Sequence, residues 1–298
     1  MADILPWRLV YCRKEGCLAV RIVTDSTADM PLESAHALGI SVVPLSVVFG
    51  EEVFREGVDI SHDLFYDKLA HGKVLPTTSA PSVGEFLEVY EQLLKETDEI
   101  VSVHLSSKLS ATYNNACQAA QSLADRGARI EVMDSQVVSL GLSFATMAAA
   151  RVAREGGDID RVKAAVDSTI KRIRIYILLD TLEYVRRGGR IGRARAFLGT
   201  MLRVKPLLSL RDGEVHPQER VRTKARALDR LFQIATSYPN IREVAIGYST
   251  NPQDAHDFEQ RLAAVMPHVN IWVARFGPVI GTHGGPGVLG LGLLEGEE

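Results

Sequence analysis

Short apolar runs alternate with helical patterns along most of this chain. The run VRIVTD at 20–25 predicts a strand buried on both faces, and ISVVPL (40–45), EIVSVHL (99–105) and RIEVMD (129–134) predict three more. Helical patterns fall between them. The stretch SVGEFLEVYEQLLKETD begins at Ser82, just after Pro81, with Glu85 three positions on in capping-box spacing. Its Phe86, Val89, Tyr90, Leu93 and Leu94 then recur at helical intervals. Residues 110–125 and 139–157 predict two further helices, the second stopped by glycines. Strand and helix in alternation predict a parallel sheet between helical layers, an α/β/α domain.

From Arg174 the rhythm changes. RIYILL (174–179) reads as a strand, RRGGR (186–190) interrupts the pattern, and KPLLSLRDGEVHP reads as a hairpin turning on Asp212-Gly213. A helix over 222–238, a strand over 243–249, a helix opened by Pro252 over 252–266 and a strand over 270–277 complete the block. This order predicts a second α/β domain with a mixed sheet. The expected division is an extension of no assigned role at 1–19, an N-terminal domain at 20–173 and a C-terminal domain at 174–298.

Composition narrows the function classes. At 298 residues the chain is long enough for two ordinary domains. A net charge of −3 offers no global basic field for nucleic acid or an anionic membrane. No apolar run is long enough to span a bilayer, and the first twenty residues lack the order of a signal peptide. Cys12, Cys17 and Cys117 have no partners that would complete a zinc site, and they read as free thiols in a reducing cytoplasm. The expectation is a cytoplasmic monomer without a metal.

Hydroxyls mark where ligand chemistry concentrates. TDSTAD, TTSAPS, SSKLSATYN and DSQVVSLG follow predicted strands or precede a helix, where open parallel sheets place their ligands. Ser26, Asp29, Ser82 and Asp134 read as capping or turn residues. Thr78 and Ser110 lie in loops with more hydroxyls than their caps require, a surplus of neutral donors that suits one anionic headgroup. RRGGRIGRAR (186–195) and ERVRTKAR (219–226) are the two concentrated basic segments, and arginine forks match phosphate. Near the C-terminus, GPVIGTHGGPGVLG contains Gly285-x-Gly287-x-x-Gly290, a formal dinucleotide fingerprint. Pro286 lies inside it and too little chain follows for the rest of a nucleotide-binding unit, so the informative residue there is His283.

Taken in order, TDSTADMP, VVPLSVVFG, TTSAPS, SSKLSATYNNA, DSQVVSLG, RRGGRI, VRTKARAL and GTHGGPG resemble the DegV family of bacterial lipid-binding proteins, from about residue 21 to 290. The resemblance implies a two-domain α/β protein holding one long-chain fatty acid between its domains, with no other cofactor. Members that act in fatty acid kinase present the carboxylate to a separate ATP-binding kinase subunit, and the acyl phosphate formed enters phospholipid synthesis. By motif, the carboxylate-binding residues are Thr78, Ser110 and His283, although Ala111 stands where the family pattern has glycine. Arg190 and Arg222 match family arginines that serve phosphate or kinase contact. His283 is expected to assist phosphoryl transfer, and the chain is not expected to be an enzyme by itself. SFATMAAARVA and FLGTMLRV supply the small and flexible residues expected of an acyl tunnel, or of ordinary helix packing. Three rival readings stay open: a dehydrogenase using the glycine match, a hydrolase built on Ser110 and His283, and a stand-alone small-molecule kinase, since the family fold is related to a dihydroxyacetone kinase domain.

Overall fold

The computed structural model describes residues 20–30, 32–199 and 204–297. The expected extension at 1–19, with Cys12 and Cys17, and residues 200–203 of FLGTMLRV lie outside the described residues. The N-terminal half runs β1 (Val20–Asp25), α1 (Leu32–Leu38), β2 (Ile40–Val43), β3 (Ser46–Phe49), β4 (Glu52–Arg55), α2 (His62–His71), β5 (Thr77–Ser79), α3 (Val83–Leu93), β6 (Glu99–His104), α4 (Thr112–Ser122), β7 (Arg129–Asp134), α5 (Leu140–Arg154) and α6 (Ile159–Arg172). The C-terminal half runs β8 (Ile173–Leu178), α7 (Glu183–Arg187), β9 (Lys205–Arg211), β10 (Glu214–Val221), α8 (Lys224–Ser237), β11 (Ile241–Tyr248), α9 (Pro252–Ala263), β12 (Asn270–Arg275), α10 (Pro278–Gly284) and β13 (Leu289–Glu295).

Strands β2-β1-β6-β7 form a parallel sheet, the four runs the apolar pattern marks. Phe86, Tyr90 and Leu93 of α3 and Ala116 and Ala119 of α4 pack on one face. Ser82 and Glu85 form the expected capping box, and Asp134 accepts from Gln136 N at 2.8 Å in the expected turn. A second sheet, in the order β10-β9-β8-β13-β11-β12, is mixed, with only β11 and β12 parallel. Its hairpin turns on Asp212 and Gly213, both at positive φ (49° and 76°), as a two-residue type I′ turn requires. Helices α8 and α9 cover its outer face.

Helices α5 and α6 lie between the two sheets and pack on both, so one apolar core is shared by the two halves. The alanines of SFATMAAARVA serve that packing. Ala145, Ala149 and Ala150 are fully buried, and at the sheet Gly292 lets α5 approach: a Cβ there would stand 3.1 Å from Leu140 Cβ and Phe144 Cε2. Only the head of α5 reaches the cavity described below, so the acyl-tunnel reading of this segment gives way to helix packing.

Three features go beyond the pattern. Residues 46–79 build a small antiparallel sheet, β4-β3-β5, with α2 beside it. The GTHGGPG segment is not a plain glycine loop, because its first half forms the last turn of α10. Beyond it, the glycine-rich tail LGLGLLE is β13, at the centre of the mixed sheet, with Leu289, Leu291 and Leu293 on one face and glycines on the other.

Candidate functional site

A partly open cavity lies between the halves, beyond the carboxyl ends of β1 and β6. One wall is the face of the mixed sheet: Ile175 and Ile177 of β8, Leu208 of β9, Val215 of β10 and Gly290 of β13. The opposite wall is Leu105 and Leu109 after β6, with Val138 and Leu140 at the head of α5. Phe276 reaches in from β12, its ring seated over paired Gly247 and Gly290, where a Cβ would meet it at 2.2 Å and 2.6 Å. Among the described residues, the lining includes no carboxylate.

Polar groups gather at Thr78, Ser110, Arg190 and His283, all four lining this one cavity and all half-buried. Thr78 Oγ1 and His283 Nε2 are 2.9 Å apart, joining β5 to α10 across 205 residues of sequence. The imidazole Nδ1 is buried without a hydrogen-bond partner among the described residues. Burial, and then the charge of Arg190, push the pKa of His283 down to about 4. The ring is therefore neutral at pH 7, with one nitrogen donating and the other accepting. Gly188 makes room for it: its φ of −69° suits any residue, but a Cβ would stand 2.1 Å from Nδ1.

Ser110 shares its hydroxyl with Thr112 Oγ1 at 2.9 Å and accepts from Thr112 N at 3.3 Å, so it helps open α4 while facing the cavity. Arg190 donates through Nε to Leu109 O at 3.0 Å and through Nη1 to Gly188 O at 2.6 Å, which ties the turn after α7 to the Ser110 loop. Arg222 is exposed, one residue ahead of Thr223, the N-cap of α8, and does not line the cavity. Thr27 lines the cavity, but its hydroxyl donates to Asp25 at 2.5 Å.

The family model described as "Uncharacterised protein, DegV family" matches residues 19–296. The chain belongs to the DegV family. A DegV domain-containing protein of Halalkalibacterium halodurans is 38% identical over 282 residues, covering 91% of this chain and 97% of the relative. The solved DegV family protein from Thermus thermophilus, described by its fatty acid binding, superposes with a TM-score of 0.87 at 33% identity, over 93% of this chain and 99% of that one. DegV of Bacillus subtilis, described as a fatty acid binding protein, superposes at 0.86 with 32% identity, over 94% and 100%.

Within this DegV fold, the dinucleotide reading of residues 285–290 loses its context. Gly285 and Gly287, at φ of 80° and 75°, form the turn from α10 into β13, so the glycines lead into a strand instead of opening a helix. The hydrolase reading finds no Ser110–His283 hydrogen bond among the described residues, since Ser110 bonds Thr112 and His283 bonds Thr78. A serine–histidine–aspartate chain does exist elsewhere. Tyr90 OH donates to Ser102 Oγ at 2.8 Å, Ser102 stands 2.7 Å from His104 Nε2, and His104 Nδ1 stands 3.0 Å from Asp25 Oδ2. Ser102, His104 and Asp25 are all 0% exposed, so this relay is a closed structural network without access for a substrate.

Two acidic residues escaped the sequence reading. Asp29, expected to serve a local turn, accepts from Gly277 N at 2.8 Å, and Glu56 of the small-sheet segment accepts from Val279 N at 2.8 Å. Both bonds reach the first turn of α10 from the other half of the molecule. Ser26, also expected to cap locally, instead accepts from Leu45 N at 2.9 Å. Local spacing carries no trace of these contacts, because each partner lies far away along the chain.

Proposed function

We propose that this protein binds one long-chain fatty acid between the domains 20–173 and 174–298, with its carboxylate at Thr78, Ser110 and His283. The observation that carries the reading is a single cavity with apolar walls and one polar, half-buried end. The fatty acid binding described for the solved relatives from T. thermophilus and B. subtilis supports it. Burying about fourteen methylenes contributes on the order of 11 kcal/mol before binding costs. That is enough to retain the ligand through purification. The carboxylate meets hydroxyl donors, one imidazole N–H and the nearby charge of Arg190, which offset its desolvation.

In this reading the protein needs no cofactor of its own. It presents the carboxylate to a separate ATP-binding kinase subunit: a carboxylate oxygen attacks the γ-phosphorus, ADP departs, and the acyl phosphate passes to phospholipid synthesis. The half-buried polar end supports such presentation, because a partner reaches it while the acyl chain stays covered. His283 orients the headgroup as a neutral donor, and Arg190 with exposed Arg222 meets phosphate or the kinase.

Denaturing mass spectrometry of protein purified from bacteria tests the binding claim. A stoichiometric fatty acid of about 14–18 carbons is expected, consistent with the methylene arithmetic. An empty or nucleotide-loaded protein overturns it.

A further inference from the structure

Three side chains of the N-terminal half converge where β12 leads into α10. Asp29 Oδ1 holds Gly277 N, Glu56 Oε1 holds Val279 N, and Tyr66 OH donates to Phe276 O at 3.0 Å. Asp29 Oδ2 also accepts from Ser139 Oγ, at the head of α5. Gly277 is glycine for space: its φ is −69°, yet a Cβ would lie 2.4 Å from Glu56 Oε1 and 3.0 Å from Asp29 Oδ1. Both carboxylates therefore press on one Cα. Glu56 is only 6% exposed, and its Oε2 is buried with no hydrogen-bond partner among the described residues.

An ionised carboxylate with a bare buried oxygen beside a second carboxylate is costly, and a retained proton removes the cost. Burial raises both groups, Asp29 to about 7 and Glu56 to about 8. The charge of Asp29 adds to the rise of Glu56, while Ser26 and the Val279 N–H oppose it. Asp25, at the end of β1, repels both. Tyr66 of α2 feels the charge of both carboxylates, and the Arg275 guanidinium lies over its ring at 5.1 Å.

We propose that Asp29 and Glu56 are positioning residues for His283: together they retain a proton, latch α10 to the N-terminal half, and so hold the imidazole against Thr78. Losing that proton frees α10 and loosens the headgroup end of the cavity. The consequence for lipid rests on the fatty-acid reading; the latch itself does not. Because the closed form binds the proton more tightly than an open form would, closure is strongest in acid and is lost as pH rises through about 7 to 8. For one proton, the opening constant rises up to about tenfold per pH unit across that approach.

Hydrogen–deuterium exchange of the amides of residues 277–285, corrected for intrinsic exchange, tests this between about pH 5 and 8 in the full-length protein. The wild type should show the extra slope, up to about tenfold per unit. Glu56→Gln keeps an acceptor for Val279 N and leaves Asp29 as the remaining raised carboxyl, so its corrected exchange should show a smaller total rise than wild type between about pH 5 and 8. Asp29→Asn, measured in the same way, decides the matter if Glu56→Gln fails to fold. A flat wild-type profile, or equal slopes in wild type and variants, overturns the proposal. On the same samples, release of bound fatty acid should follow exchange in the wild type and rise less with pH in Glu56→Gln; release that ignores the latch overturns its link to the headgroup. A wild type without fatty acid at pH 5 overturns the functional reading instead, and the exchange slopes still decide the latch.

Discussion

At the scale of residues, the polar end of the cavity is a set of small accommodations around one imidazole. Gly188→Ala places a methyl group where Nδ1 lies, so the ring must move off Thr78. We expect the variant to fold with near-normal stability and to lose fatty acid faster than wild type, read by mass spectrometry after timed dialysis. Thr78→Ala and Ser110→Ala each remove one neutral hydroxyl, worth about 1 kcal/mol or roughly fivefold in affinity; competition with a fluorescent fatty acid checks both. His283 has a pKa near 4 in the folded protein against 6.5 unperturbed, so the unfolded chain binds the extra proton between those values. Its contribution to stability is therefore present above about pH 6.5 and lost as pH falls toward 4, and NMR should show an imidazole that stays neutral down to about pH 5. Thr78, Ser110 and His283 are legible in the sequence because each is embedded in a local motif. Asp29 and Glu56 are not, because their meaning lies in backbone N–H groups 248 and 223 residues away.

At the scale of elements, legibility follows the length and burial of each segment. The long buried strands and the capped helix α3 declare themselves through continuous apolar runs and a cap. The strands of the small sheet have three or four residues, too few for a period to emerge, and neighbours from α2 and α10 hold them in place. Helix α10 is a sharper case. Seven residues form a helix there because Pro278 presets the first turn and two distant carboxylates satisfy its leading N–H groups. In β13 the Leu-Gly alternation is a period-two signal that glycine disguises, since its second face is empty to admit α5 and Phe276. That crowding makes α5 intolerant of volume. Ala149→Leu should destabilise by about 1–3 kcal/mol through overpacking, measured by denaturant titration. Asp158→Ala removes the side-chain acceptor for Arg161 N and should cost about 1 kcal/mol at the start of α6.

At the scale of the whole molecule, two sheets share one helical layer, and the cavity lies where that layer ends. A ligand filling it touches both halves, so it should stabilise them jointly. Delipidated protein given a long-chain fatty acid at about 100 times its dissociation constant should gain about 2.7 kcal/mol, a melting shift of roughly 4 °C by calorimetry. Sequence alone determined the α/β class, the parallel and mixed sheets and the hydroxyl-rich loops, because burial periodicity and cap chemistry are local properties of the chain. The tertiary structure alone decided that Thr78 and His283 meet, that Arg190 joins them while Arg222 does not, and that two acids govern α10. Those outcomes depend on which distant surfaces exclude water from one another, and no local pattern encodes that.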